Sequence, residues 1–75
     1  MGRTRDRVLL KSLGRRLQRL RKRVGMTQEA LAQAAGLHRR YLIKLEMGEG
    51  NPTFLVLSDL ARALRIRQRE LTDPS

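Results

Sequence analysis

Seventy-five residues suffice for one domain near the lower limit at which burial alone supports a fold, since such a chain buries only about 60% of its unfolded surface; a second, ligand-sensing domain is not expected. With no cysteine and one histidine, His38, the chain has neither a disulfide framework nor a zinc finger, and no apolar stretch is long enough for export or a membrane span, so a cytoplasmic protein is expected. Seventeen Lys+Arg against seven Asp+Glu leave a formal net charge of +10 and a pI of about 11.8, a self-repulsion that a small domain offsets by resting against a polyanion.

Met1 to Asp6 lacks a periodic apolar pattern, and Arg3, Arg5 and Arg7 alternate with small or acidic residues. A flexible basic arm over residues 1–6 is expected, either a solvated tail or a segment laid along phosphates. From Arg7 to Val24 the positions Leu10, Leu13, Leu17, Leu20 and Val24 step by threes and fours, the apolar stripe of one long helix. Gly14 within it costs on the order of 1 kcal/mol relative to alanine, which predicts fraying of the preceding turn, and Gly25 closes the helix. The other faces carry Lys11, Arg15, Arg16, Arg19, Lys22 and Arg23, while Arg21 borders the stripe. A basic amphipathic helix can also lie on an anionic membrane. This stripe has no aromatic residue, however, and the later helices need partners for their own apolar faces, so no membrane is expected.

A second helix starts at Thr27, whose hydroxyl can cap a free amide one turn on, and Glu29 suits the positive end of its dipole. Leu31, Ala34 and Ala35 recur at helical spacing and are expected to face inward. Gly36 ends this helix, because the residue past a helix terminus commonly needs a positive φ that glycine adopts without steric cost. Leu37 packs beneath the turn. From His38 the pattern resumes, with Leu42 and Leu45 on one face of a third helix. At roughly 100° per residue, Arg40 and Lys44 fall nearly opposite that pair, with Ile43 beside them. The outward face is therefore cationic with one aliphatic contact.

Gly48, Gly50 and Pro52 stop the third helix. Thr53 then caps a fourth, whose core stripe is Phe54, Leu57, Leu60, Ala61 and Leu64. Leu55 and Val56 lie off that stripe. Together with Ile66 and Leu71, at a short fifth helix over about 67–72, they are either isolated surface hydrophobes, which are ordinary, or a dimer contact. Residues 73–75 form a frayed end.

The run from Thr27 to Glu46 resembles the helix-turn-helix of the Xre/Cro/lambda-repressor-like family of bacterial and phage regulators. Ala32 matches the small residue where the two helices cross and Gly36 the turn glycine. Leu42 and Leu45 match the buried second-helix positions, and Leu45-Glu46-x-Gly48 followed by Asn51-Pro52-Thr53 matches the segment beyond. The likeness runs from about Leu13 to Leu71. It implies an all-α, five-helix lambda-repressor-like DNA-binding domain over residues 7–72. It also implies an ion pair between Arg21 and Glu46 that fixes helix 1 against the reading unit, and favours Leu55, Val56, Ile66 and Leu71 as a homodimer interface. The GLHRRYL segment is similar to controller proteins of restriction-modification operons. Aromatic residues are only 3% of the chain, too few to stack single-stranded bases, which agrees with duplex DNA as the partner.

Phosphate contacts position a protein on DNA, and base-edge contacts specify sequence. For the first, Gln28 resembles the family's phosphate-clamping glutamine, with Thr27 and the free amides of the helix start beside it; Tyr41, Arg16 and Arg23 are further candidates. For the second, His38, Arg39, Arg40 and Lys44 match the base-reading positions. A guanidinium donating to guanine O6 and N7 gives about 1–3 kcal/mol of discrimination, so guanines are expected in each half-site. Ile43 either packs on a thymine methyl or is semi-buried, and Arg39, nearer the helix edge, either reads a base or grips a phosphate. His38 stands where many members have a capping serine or threonine, and histidine caps less well. No second histidine, cysteine or carboxylate cluster accompanies it, and there is no Gly-rich phosphate loop or Ser/His/Asp set. The chain reads as non-enzymatic, with no metal, cofactor or small-molecule effector.

The expectation is a homodimeric, sequence-specific transcriptional regulator on a palindromic operator, reading through the major groove. Its rival from another class is an antitoxin-type or other protein-interaction module on the same fold. A non-specific nucleoid-type binder shares the charge but does not need a base-reading face.

Overall fold

Five helices follow one another in the computed structural model, which describes residues 4–73: α1 (Thr4–Arg23), α2 (Gln28–Ala35), α3 (Arg39–Glu46), α4 (Phe54–Leu64) and α5 (Arg69–Thr72). No strand occurs among the described residues. The fold class is all-α, as expected.

Helix α1 begins at Thr4, three residues before the expected Arg7. Asp6 lies in its first turn and Arg21, Lys22 and Arg23 in its last, so both ends carry charges that oppose the helix dipole. The rest of the expected arm, Met1–Arg3, lies outside the described residues. Leu17 and Leu20 are buried and Leu13 packs partly against them. Val24 is half-exposed, because α1 stops at Arg23 and the chain leaves the stripe to turn at Gly25, φ 78°. Gly14 is not a point of fraying. It is buried in mid-helix, where α1 crosses the end of α3.

Helix α2 starts as its composition requires, Thr27 Oγ1 accepting from the Ala30 amide at 3.0 Å. It ends at Gly36, φ 70°, whose N–H reaches the carbonyls of Ala32 and Gln33. Its buried residues are Leu31, Ala32 and Ala35. Ala34, expected inward, is exposed, because the core lies on the Ala32 side of Leu31 and places Ala34 about 100° away from it. Thr53 caps α4 in the same way as Thr27 caps α2, accepting from Val56 N–H at 3.1 Å.

The core that these helices enclose is made of leucine and alanine: Leu17, Leu20, Leu31, Leu42, Leu45, Leu60, Leu64 and Leu71 with Ala32, Ala35 and Ala61. Two expectations fail at its edge. Phe54, expected in the core stripe, is 72% exposed, since it sits roughly 70° off the middle of the buried arc of α4. Leu71, expected at a dimer interface, is 1% exposed. Helix α5 folds back against α1 and α4 and drives it into the core, so it has no surface to offer a partner. Val56 and Ile66 are half-buried and pack on the same core, which leaves Leu55, 71% exposed, as the free member of that set.

Candidate nucleic-acid interface

Helix α3 is held from below and presented outward. Leu42 and Leu45 fill the core, and Glu46, at the last position of the helix, is buried with them. A buried carboxylate must be paired and hydrogen-bonded to remain charged. Glu46 meets that condition through two other helices. Arg21 of α1 donates from Nε to Oε2 at 2.6 Å and from Nη2 to Oε1 at 3.1 Å, and Gln28 of α2 donates from Nε2 to Oε1 at 2.9 Å. The remaining Arg21 nitrogen, Nη1, reaches the Met26 carbonyl at 2.9 Å, and Gln18 Nε2 reaches the Glu46 carbonyl at 3.3 Å. One carboxylate thus ties α1, α2 and α3 together. The Arg21–Glu46 pair implied by resemblance is present, and no buried side-chain nitrogen or oxygen among the described residues lacks a partner.

Turned away from that anchor, His38, Arg39, Arg40 and Lys44 are exposed, while Tyr41 and Ile43 are half-buried at the sides of the helix. His38, Arg40, Tyr41 and Lys44 line a shallow depression on the surface. His38 occupies the N-cap of α3 with extended backbone, φ −68° and ψ 135°, and its side chain makes no capping bond. The first-turn amides of α3 therefore have no side-chain cap.

Among the expected phosphate-binding residues, Thr27 and Gln28 stand together at the start of α2. The Thr27 hydroxyl is exposed and already accepts from Ala30, and the Gln28 amide nitrogen is given to Glu46. Arg16 and Arg23 are not grouped with the cations of α3. They lie on the side of α1 next to α5, in a cleft shared with Glu70 and Asp73, and Arg16 Nη1 donates to the Glu70 carbonyl at 3.2 Å.

Two exposed residues escape a reading based on helical stripes within predicted boundaries. Met47, the C-cap of α3, is 57% exposed, and extending the wheel by one residue places it within about 20° of Arg40 on the outward face. Phe54 stands beside Leu55 at the start of α4. No group of three or more His, Cys, Asp or Glu among the described residues is placed to hold a metal, and no helix is long and apolar enough to cross a membrane.

Residues 17–71 match the family described as Helix-turn-helix. An uncharacterised HTH-type transcriptional regulator of Sinorhizobium fredii, y4dJ, is 40% identical over 65 residues, 87% of this chain and 84% of its own. YazB of Bacillus subtilis, also an uncharacterised HTH-type transcriptional regulator, is 38% identical over 61 residues, 81% of this chain and 88% of its own. Among solved structures, the restriction-modification controller protein C.AhdI of Aeromonas hydrophila superposes with a TM-score of 0.82 at 42% identity, covering 83% of this chain and 94% of that one. A transcriptional regulator of the HTH_3 family from Vibrio cholerae gives a TM-score of 0.84 at 30% identity, over 92% of this chain and 40% of that one.

Proposed function

The chain belongs to the helix-turn-helix family of DNA-binding transcriptional regulators, and from that membership we propose a sequence-specific regulator that acts as a homodimer on a palindromic operator, with α3 in the major groove. The observation that carries this reading is the geometry of α3. Arg40 and Lys44 are exposed opposite the buried Leu42 and Leu45, on a helix whose last residue is tied to α1 and α2. A cationic face on a rigid mount is what base reading requires, because a guanidinium must be held within hydrogen-bond reach of a guanine edge.

In this reading Arg40 and Lys44 are the principal base readers, with His38, Arg39 and Ile43 beside them. Thr27, Gln28, Tyr41 and the amides at the start of α2 grip phosphates. Gln28 has a further part, since its bond to Glu46 sets the start of α2 against the end of α3. Leu55 and the adjoining Phe54, the two most exposed large apolar residues among those described, form the contact between subunits. Two-fold symmetry then places the half-sites about one helical turn apart. The likeness to C.AhdI supports a controller of a restriction-modification operon, regulated by its own concentration through dimerisation on DNA.

Selection of bound sites from a random duplex library, followed by binding at two salt concentrations, tests the whole reading. A spaced palindrome containing guanines is expected. An absence of any enriched motif, with binding that disappears as salt rises, would leave a non-specific polyanion binder in its place. On the selected site, Arg40→Ala should lose about 1–3 kcal/mol of discrimination at one guanine while random duplex is bound nearly as before. An equal loss on both sequences would remove Arg40 from base reading. Leu55→Glu should convert dimers to monomers in sedimentation equilibrium, because a carboxylate cannot be buried unpaired at a subunit contact. Unchanged dimer mass would take Leu55 out of the interface.

A further inference from the structure

Four cations of α1 stand apart from the α2–α3 unit. Arg15, Arg19, Lys22 and Arg23 are exposed, and among the described residues none of them has a carboxylate at ion-pair distance. Spaced i, i+4, i+7 and i+8, they form one stripe about 12 Å long. Helix α1 meets α3 along a different edge. There Lys11 lies against Gly48, Gly14 sits under the carbonyls of Leu45 and Glu46, and Gln18 and Arg21 bond to Glu46. At roughly 100° per residue the stripe is turned about 105° from that edge. Its nearest neighbour is α5, and Arg19, Lys22 and Arg23 share a cleft with Arg16, Glu70 and Asp73, where cations outnumber carboxylates by four to two.

Charges of one sign a turn apart repel along a helix, so Arg15 with Arg19, and Arg19 with Lys22 and Arg23, weaken α1 in the free protein. A partner that relieves this repulsion must be anionic along a line. Protein interfaces use arginine beside apolar and aromatic anchors that fill pockets on the partner, and this stripe has no apolar or aromatic member. A row of phosphates asks only for cations and adds the release of its counterions. We propose that the outer stripe of α1 is a second binding surface for the phosphodiester backbone of duplex DNA, engaging DNA outside the segment read by α3. That backbone is the flank of the duplex whose segment α3 reads, and capture of a second duplex is a separate outcome of the test. The inference rests on the DNA-binding reading above and adds a separate surface to it.

The variant Arg15→Gln/Arg19→Gln/Lys22→Gln tests it. All three side chains are exposed and their removal relieves repulsion, so the thermal midpoint should be no lower than that of the wild type. Binding is measured against salt on random-sequence duplexes of about 20 base pairs, enough for two half-sites one turn apart, and about 40 base pairs, where each phosphate contact contributes about 0.9 to the slope of log K on log salt. On the long duplex the variant's slope should be shallower by about 2.7 for each subunit whose stripe is engaged, and on the short duplex equal to that of the wild type. A bead-borne duplex and a free labelled duplex distinguish the two sources. Transfer of label to the bead by wild type and not by the variant would put a second duplex on the stripe and overturn the flank assignment; a slope change without transfer supports it. Equal slopes on the long duplex with unchanged transfer overturn the proposal. So does an equal loss of slope on both lengths, which would put the stripe on the segment that α3 reads. Failure of the wild type to bind any duplex is a different result, visible without the variant, and removes the DNA reading itself.

Discussion

Glu46→Ala should cost the protein about 3–5 kcal/mol, the penalty for leaving a buried guanidinium without its counter-charge. The chain can ill sustain that loss, since at roughly 0.05–0.15 kcal/mol per residue a domain of this length has only about 4–11 kcal/mol in total. Arg21 is almost fully buried, and Nε and Nη2 both point at the Glu46 carboxylate. Its other contact, Nη1 to the Met26 carbonyl, is neutral and cannot replace the charge. Urea unfolding followed by circular dichroism measures the effect, and a loss below about 1 kcal/mol, the scale of an exposed ion pair, would show that the pair is not buried in solution. Removing both partners is a different experiment. Arg21→Met/Glu46→Leu should recover most of the stability, because apolar residues of similar size often replace a buried ion pair at no cost. It should not recover DNA binding in full, since Gln28 loses the acceptor that holds it against the end of α3. Recovery of both would reduce Glu46 to a packing residue.

Gly14→Ala should destabilise by about 2 kcal/mol, against a gain of about 1 kcal/mol that alanine's helix propensity alone would give. A Cβ at this position would stand 2.6 Å from the Leu45 carbonyl oxygen and 2.7 Å from that of Glu46. These are backbone atoms and cannot rotate away as a side chain does. Relief requires α1 and α3 to separate where Arg21, Gln18 and Glu46 hold them together. Thermal unfolding decides the sign, and a variant more stable than the wild type would mean that the two helices do not cross this closely. Because α3 is the displaced helix, affinity for the selected duplex should fall even below the temperature at which the variant unfolds.

These two positions show where local reasoning reaches its limit. Gly14 reads along the chain as a weak point in a helix, and its use lies in a contact with carbonyls more than thirty residues away. Arg21 and Glu46 could be paired through resemblance, but that Gln28 completes the triad depends on where α2 starts relative to the end of α3. Leu71 and Phe54 both leave their expected places, one into the core and the other out of it, for the same kind of reason. Periodicity says which residues share a face, but only the packing of α5 against α1 and α4 says that Leu71 is covered, and only the direction from which α4 is buried says that Phe54 is not.

What the amino-acid order determined unaided is local in its physics. Caps at Thr27 and Thr53, the positive φ at Gly36, the leucine stripes and the cationic face of α3 depend on atoms within a turn or two of helix, where the 3.6-residue period is exact enough to place them. The tertiary structure alone decided how those faces meet. It placed a glycine under two carbonyls, used one buried carboxylate to lock three helices, and separated the cations of α1 from those of α3. Such contacts join residues far apart in sequence, and their energies depend on burial and on distances of a few tenths of an ångström that no periodicity encodes.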